Sequence, residues 1–221
     1  MEMVAMVSPD LRVRFSTSHP KDMTDDVLHA MAKYENLCNY IHLPVQSGNS
    51  AVLKRMNRGY TREWYLKRIE AIHRIIPDCA ISTDVISGFC GETEMEHDET
   101  LSLMDLVKYD FAYMFKYSER PKTLAERKFE DDVPDEVKSK RLSEIIEKQL
   151  KFSLESNKKR IGLVEKVLIE GESKRSSEHM CGRTSRNSMV VFPKNKGIKG
   201  DYVQVKINDC TSATLMGEEI N

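Results

Sequence analysis

The sequence predicts an α/β fold: half of a TIM-like β/α barrel, followed by a small antiparallel β-barrel of the oligonucleotide-binding kind. Three observations support this prediction. Strand-like and helix-like segments alternate over the first two-thirds of the 221 residues, which is the pattern of parallel βαβ units. A long amphipathic helix follows. After Gly162 the helical period disappears, and five short β-rich runs separated by glycines and polar turns follow, as in small closed β-barrels. We therefore predict two domains, 1–157 and 158–221.

Four segments of the first domain have the pattern of strands. The first alternates apolar and basic residues, and the last places aromatic residues at every second position, as expected of strands with two different faces. Four parallel strands with intervening helices make half of an eight-stranded barrel. The predicted strands are 11–17, 40–46, 79–89 and 110–118.

The segments between these strands have helical periodicity. The helix after the third strand begins with Thr93 and Glu96 in the register of a capping box. A longer helix is predicted to start with Pro134 as its first helical residue. Its apolar stripe comprises Leu142, Ile145, Ile146, Leu150 and Leu154.

The charge is distributed unevenly between the two domains. Residues 158–221 contain 12 basic and 8 acidic residues, whereas the first 157 contain 22 basic and 27 acidic residues. A basic module beside a more acidic domain indicates a polyanion as the partner of the module. A solvated charged face is the alternative explanation.

Composition argues against a membrane protein and against a local metal site. No apolar run reaches the roughly 18 residues of a membrane span, and the first residues lack the pattern of a signal peptide. We therefore expect a cytoplasmic protein without membrane contact. The five cysteines are widely spaced, with no CxxC or CxxxCxxC pattern, so reduced thiols are expected and no metal ligand is predicted. They are Cys38, Cys79, Cys90, Cys181 and Cys210.

Polar residues follow the predicted strands of the first domain. Gln46 and Ser47 come after the second strand, and Gly88, Gly91 and Glu92 come after the third. The fourth strand ends in Ser118, Glu119 and Arg120. Ligands of parallel α/β domains bind at the carboxyl ends of strands, so these residues are candidates for a binding site. The alternative is structural: the glycines would supply turn geometry, and Glu92 would favour the start of the next helix.

A glycine turn of the second domain is rich in polar and basic residues. Such a loop suits contact with phosphate groups, although a solvated turn would have the same composition. The candidates for phosphate contact are Arg183, Thr184, Arg186 and Asn187, with Lys174 and Arg175 nearby.

Taken together, several segments resemble one enzyme family. "RFSTSHPKDM", "HLPVQSGN", "VLKRMNRGYT", "PDCAISTDVISGFCGET", "FAYMFKYSERPKT" and "CGRTSRNSMVVF", in this order, resemble the radical S-adenosylmethionine (SAM) methylthiotransferases, most closely the MiaB group that modifies tRNA. The resemblance implies a partial radical SAM barrel followed by a TRAM domain that binds tRNA. It also implies that the sequence starts inside the barrel, after the family's amino-terminal domain and its CxxxCxxC loop.

The resemblance implies a particular chemistry for the full-length protein. Two 4Fe-4S clusters would be expected, with ligands absent from this chain, together with S-adenosylmethionine as cofactor. The cofactor would be cleaved to a radical that attacks an isopentenylated adenosine next to the anticodon of tRNA, which then receives a methylthio group. The fragment alone would be inactive.

Alternatives and assembly remain open on the sequence alone. The sister group modifies an aspartate of a ribosomal protein, and a non-catalytic nucleic-acid-binding scaffold would keep only the second domain. The expected partner is the anticodon stem-loop of tRNA, and its affinity should fall when Arg183 and Arg186 become alanine. A half barrel exposes edge strands, so dimerisation of the fragment is also expected.

The resemblance also implies site residues, although no catalytic residue is assigned. The family commonly has proline where Cys90 stands and glycine where Lys122 stands, which affects the expected loop shapes rather than the polar candidates. The residues implied to bind the cofactor are Ser16, Thr17, His19, Gln46, Ser47, Asp84, Gly88, Gly91 and Glu92.

Overall fold

The computed structural model describes residues 1–16 and 19–220. The helices are α1 (Glu2–Ala5), α2 (Asp25–Lys33), α3 (Ser50–Arg55), α4 (Arg62–Ile75), α5 (Glu94–Val107), α6 (Leu124–Lys128) and α7 (Asp135–Lys158), with a 3-10 turn at Pro20–Asp22. The strands are β1 (Tyr40–His42), β2 (Ala80–Ser87), β3 (Phe111–Lys116), β4 (Val164–Ser173), β5 (Ser176–Arg183), β6 (Met189–Pro193), β7 (Tyr202–Cys210) and β8 (Leu215–Ile220).

The first domain is built on a parallel sheet with strand order β1-β2-β3. Tyr40 pairs with Ala80, and Ser82 pairs with Phe111, so successive strands lie side by side. Their carboxyl ends therefore meet at one edge of the sheet, where ligands of α/β domains bind. The partial barrel predicted from the sequence is confirmed.

One of the four predicted strands is wrong. In the described part of 11–17, only Val13 forms a bridge, with Leu37. Alternating apolar and basic residues are typical of a strand, but Arg12 and Arg14 instead donate hydrogen bonds to backbone carbonyls of the second domain. Among the described residues, the sheet thus has three strands rather than four.

Two tyrosines lie at the centre of the first domain's core. Tyr65 and Tyr109 are fully buried, and burial raises the pKa of both hydroxyls. Tyr109 donates to the hydroxyl of Tyr65 at 3.0 Å, and Tyr65 donates to the carbonyl of Leu43 at 2.8 Å. This chain of hydrogen bonds satisfies both buried hydroxyls and joins α4 to the strands.

Helix α7 packs along the sheet and continues toward the second domain. Pro134 is its N-cap, with extended backbone, so the helix begins at Asp135 and the prediction of Pro134 as the first helical residue is wrong by one position. Lys138 and Arg141 are buried although both are charged. Lys138 pairs with Asp131, just before α7, and Arg141 pairs with Glu92 in the loop after β2.

The second domain is a closed barrel of five strands, ordered β4-β5-β6-β8-β7. Neighbouring strands are antiparallel except for β6 and β8, which are parallel. A Cβ atom on Gly182 would lie 2.2 Å from the carbonyl oxygen of Leu168, so the close approach of β4 and β5 requires glycine there. The barrel core comprises Val167, Ile169, Met180, Val190, Phe192, Val203, Val205, Ile207 and Leu215.

Within the described ranges, no helix combines the length and apolar character needed to cross a membrane.

Candidate functional site

A cleft of about 440 Å³ opens at the carboxyl edge of the parallel sheet. An adjoining hollow of about 360 Å³ shares several of its walls and extends toward Arg55 and Arg58. Sites of this volume hold ligands of nucleoside size. The cleft is lined by Gln46, Asp84, Ile86, Phe115, Lys116, Tyr117, Ser118, Arg120, Thr123 and Ala125.

Gln46 forms part of the cleft with an unusual backbone conformation. Its φ is 72°, which is uncommon for a residue with a side chain. The conformation is fixed by β2, because the amide of Gln46 donates to the carbonyl of Asp84 at 2.8 Å and its carbonyl accepts from the amide of Ile86 at 2.9 Å. Backbone of this kind is concentrated at functional sites.

Asp84 places a carboxylate in the same cleft. Its side chain is 27% exposed, and Oδ1 lies 3.4 Å from Nε2 of His42. Nδ1 of His42 lies 2.8 Å from the hydroxyl of Ser82, so the imidazole is held from both sides. Asp84 therefore keeps a carboxylate oriented while leaving part of it accessible to a ligand.

Glu92, by contrast, is directed into the protein. Its carboxylate accepts from the amide of Gly88 at 2.7 Å and from Arg141 at 3.0 Å. Arg141 also donates to the backbone carbonyl of Glu92 at 2.9 Å. Burial raises the pKa of Glu92, opposed by the Gly88 amide and Arg141. The carboxylate thus ties the loop after β2 to α7, and Glu92 is not among the residues that line the cleft.

The glycines of this loop also face α7 or solvent. Gly88 has a φ of +71°, and a Cβ atom there would lie 2.2 Å from Cγ of Lys138. Gly91 has a φ of +70° with open space around it, and its amide donates to Asp132 at 2.6 Å. The close approach at Gly88 is therefore made by a helix of the same chain.

The other described candidates do not line the cleft. Ser47 is fully buried, and its hydroxyl accepts from the amide of Asn49 at 3.3 Å. His19 accepts from the amide of Lys21 at 3.3 Å, and Ser16 is exposed. Thr17 lies outside the described residues. Of the predicted cofactor residues, the structure brings Gln46 and Asp84 together in the cleft.

The loop after β3 contributes residues that were not among those implied to bind the cofactor. It is held by its own hydrogen bonds: the hydroxyl of Thr123 donates to the carbonyl of Arg120 at 2.8 Å, and the amide of Lys122 donates to Glu126 at 2.7 Å. Lys122 adopts a φ of 69°. The position of this loop at a strand end was the available sequence signal, and it indicated Arg120, Ser118 and Glu119 more clearly than Lys116, Tyr117 or Thr123.

No cluster of metal ligands is found in the described part of the chain. Within it, no group of three or more histidine, cysteine, aspartate or glutamate residues is arranged to hold a metal ion. Cys38, Cys79 and Cys90 are buried, and burial raises the pKa of Cys79 to about 12. The residues present therefore do not fit an iron-sulfur cluster.

The predicted RNA-binding residues separate into two groups. Lys174 and Arg175 form the exposed turn between β4 and β5 and make no ion pair with a described residue. Arg183 donates to the carbonyl of Asn187 at 2.9 Å and lies 3.4 Å from Glu170.

The second group lies between the domains. Thr184 is buried. Arg186 donates to Asp78 and Asp110 of the first domain, at 2.9 Å and 2.7 Å. The turn of Thr184 and Arg186 therefore contacts the sheet domain.

Comparison with known families agrees with this two-domain architecture. A model of the radical SAM superfamily matches residues 1–104, and a model of the TRAM domain matches residues 158–220. Coproporphyrinogen III oxidase (HemN) of Escherichia coli, a radical SAM enzyme, has a similar fold, with a TM-score of 0.52 and 18% identity, covering 85% of this chain and 45% of that chain. The sheet domain is thus similar to radical SAM proteins in sequence and in fold, and the closed barrel is similar to TRAM domains in sequence.

Curated relatives are much more similar in sequence. The tRNA-2-methylthio-N(6)-dimethylallyladenosine synthase of Amoebophilus asiaticus is 59% identical over 99% of this chain, which covers 45% of the relative. Proteins of the same name from Christiangramia forsetii and Phocaeicola vulgatus are each 57% identical, over 100% and 98% of this chain and over 46% and 48% of their own lengths. The chain spans about half the length of these relatives. Over nearly all of its length the chain is thus similar to one part of these tRNA-modifying enzymes.

Proposed function

We propose that this chain forms about half of an enzyme that methylthiolates N(6)-dimethylallyladenosine in tRNA, next to the anticodon. The observation that carries the proposal is the identity of 59% over 219 residues with a relative named for that product. This similarity extends through both the sheet domain and the TRAM barrel. Such identity over two domains supports a shared substrate better than a likeness of fold does.

The strand-end cleft is proposed as the site for the adenosyl part of S-adenosylmethionine. Its volume of about 440 Å³ suits a nucleoside. Gln46 and Asp84 supply an amide and a carboxylate for its polar edge and hydroxyls, while Ile86 and Phe115 supply apolar walls. When bound to the complete enzyme, S-adenosylmethionine supplies the radical chemistry. The residues of this chain bind and orient the cofactor and exclude water from it.

The TRAM barrel is proposed to bind the tRNA through its exposed basic turn. Lys174 and Arg175 are free to meet phosphate groups, which dominate the affinity of proteins for nucleic acids. Arg120, at the mouth of the cleft, adds a positive charge near the proposed position of the target nucleoside. These contacts position the RNA, whereas the cleft holds the cofactor.

The test uses the full-length protein from the same gene, loaded with iron-sulfur clusters under anaerobic conditions. It is given S-adenosylmethionine, a reductant and tRNA carrying N(6)-dimethylallyladenosine, and the digested nucleosides are analysed by mass spectrometry. The methylthiolated nucleoside is expected. Modification of an aspartate in ribosomal proteins without the nucleoside product would assign the chain to the sister activity. Neither product, from an enzyme whose clusters are spectroscopically intact, would refute the proposal.

A further inference from the structure

We propose that Arg186 is a positioning residue that fixes the TRAM barrel on the sheet domain, by bridging two carboxylates of that domain. The part of this inference that concerns catalysis rests on the proposed function. It assigns to Arg186 a role different from the phosphate contact suggested by its basic turn. Arg175, in the exposed turn between β4 and β5, provides the contrast within the same barrel.

The guanidinium of Arg186 is occupied on two sides. Nη1 donates to the carboxylate of Asp78 at 2.9 Å and also to the backbone carbonyl of Asp78. Nη2 donates to Oδ1 of Asp110 at 2.7 Å. The side chain is only 11% exposed. A planar guanidinium can hold two acceptors in fixed directions, which a lysine ammonium cannot do.

Asp110 is itself immobilised by the sheet domain. Its carboxylate accepts from the amide of Ile81 at 2.8 Å, and its own amide donates to the carbonyl of Ile81 at 2.9 Å. The hydroxyl of Ser156 donates to Oδ1, and the hydroxyl of Ser153 donates to the backbone carbonyl at 2.8 Å. Arg186 is therefore attached to a residue joined to β2 and α7. Moving the barrel away from this point would therefore pull on a residue that hydrogen bonds of the sheet domain hold in place.

A second set of contacts prevents the barrel from pivoting about Arg186. Arg12 donates to the carbonyl of Lys166 at 3.1 Å, and Arg14 donates to the carbonyl of Thr184 at 2.8 Å. The hydroxyl of Tyr202 donates to the carbonyl of Asp10 at 3.0 Å. These bonds connect the segment before α2 with the barrel. Arg160 also donates to Asp78 at 3.1 Å, beside Arg186. Separated attachments define an orientation, whereas a single one would allow rotation.

The role of this orientation follows from the position of the proposed sites. RNA held by the Lys174–Arg175 turn must present its target nucleoside to the cleft near Gln46 and Asp84. Since catalysis requires reacting groups to be held in a near-attack geometry, a small change in barrel orientation reduces turnover more than it reduces RNA affinity. Arg186 then affects the reaction through the barrel and without touching substrate.

The first test measures domain orientation in this 221-residue chain by NMR. Amide residual dipolar couplings from both domains are fitted to alignment tensors for wild type, Arg186→Gln and Arg175→Gln. One common tensor is expected for wild type and for Arg175→Gln. For Arg186→Gln, we expect the couplings of the two domains to require different alignment tensors, with weaker alignment of one domain. Arg186→Lys should resemble Arg186→Gln, because an ammonium does not bridge both carboxylates in the same geometry.

RNA binding distinguishes this role from a phosphate contact. The salt dependence of binding to an anticodon stem-loop is measured with the same variants. Arg175→Gln is expected to lower the slope of log affinity against log salt by about 1, as for the loss of one phosphate contact, and Arg186→Gln is expected to leave it unchanged. In the full-length enzyme, Arg186→Gln should lower kcat several-fold with little change in KM for tRNA.

Two results would overturn the inference. One is a common alignment tensor retained in Arg186→Gln, which would show that the bridge does not set orientation. The other is a lower salt slope in Arg186→Gln, equal to that of Arg175→Gln, which would assign Arg186 to the RNA. Unfolding of a variant would reduce the dispersion of its amide spectrum. It is therefore distinguished from a change in domain orientation between two folded domains. Either outcome leaves the proposed activity itself unaffected.

Discussion

Replacing Gly88 by alanine tests whether α7 or a ligand determines the loop after β2. The backbone at Gly88 has a φ of +71°, and the new Cβ would lie 2.2 Å from Cγ and 3.0 Å from Cβ of Lys138. A left-handed conformation costs a residue with a Cβ about 1–2 kcal/mol. Overpacking against a buried neighbour costs about 1–3 kcal/mol more. We therefore expect Gly88→Ala to lower the free energy of unfolding by about 2–5 kcal/mol.

Gly91→Ala is the matched control, because Gly91 has nearly the same φ of +70° but no atom within 4 Å of the new Cβ. Only the backbone cost of about 1–2 kcal/mol applies to it. Both variants are unfolded with urea while fluorescence is recorded, and the single tryptophan of the chain, Trp64, reports on the sheet domain. Equal destabilisation by the two substitutions would refute the assigned contact with Lys138. A stable Gly88→Ala chain would favour a ligand as the reason for the glycine.

Three further predictions concern separate groups. Glu96→Gln should destabilise the chain by about 1.5–3 kcal/mol at pH 7, because Glu96 forms two bonds of 2.9 Å with Arg55. Since Arg55 holds the pKa of Glu96 below its ordinary value, the wild type should lose this stability as pH falls through the folded pKa, and the variant should lack that phase in urea titrations. Asp84→Asn should lower the affinity of the full-length enzyme for S-adenosylmethionine in equilibrium dialysis, whereas Asp105→Asn, an exposed change, should not. Finally, burial that raises the pKa of Cys79 to about 12 should protect it from iodoacetamide at pH 8 until the chain is unfolded; labelling of the native thiol, detected by mass spectrometry, would contradict its burial.

Local patterns in the sequence were sufficient for most secondary structure. Period two predicted β3, β-rich runs predicted the five strands of the barrel, and Thr93 with Glu96 forms the capping box. The alternation in 11–17 failed, because alternation reports two different faces and does not say what each face contacts. In this segment, Arg12 and Arg14 donate hydrogen bonds to backbone carbonyls of residues more than 150 positions away in the sequence. Only the folded chain brings those partners together.

The candidate site was predictable to the extent that it depends on strand ends. The order of strands and helices places the loops after β1, β2 and β3 at one edge, and Gln46 and Asp84 meet there. The depth of each side chain could not be predicted, since it depends on α7. Glu92 is 49 residues from Arg141, its buried partner. From sequence alone, a carboxylate after a strand has the same appearance whether it faces a ligand or a helix.

Helix α7 contacts residues in two distant parts of the chain that no local sequence pattern connects to it. Near its start, Arg141 takes up the carboxylate of Glu92, and near its end Ser156 donates to Asp110, the acceptor of Arg186. At 1.5 Å per residue, these two contacts are about 22 Å apart along one straight element. The loop beside the cleft and the attachment of the barrel are thus held by one helix. Because packed interiors transmit strain, a displacement of α7 would reach both the loop beside the cleft and the attachment of the barrel.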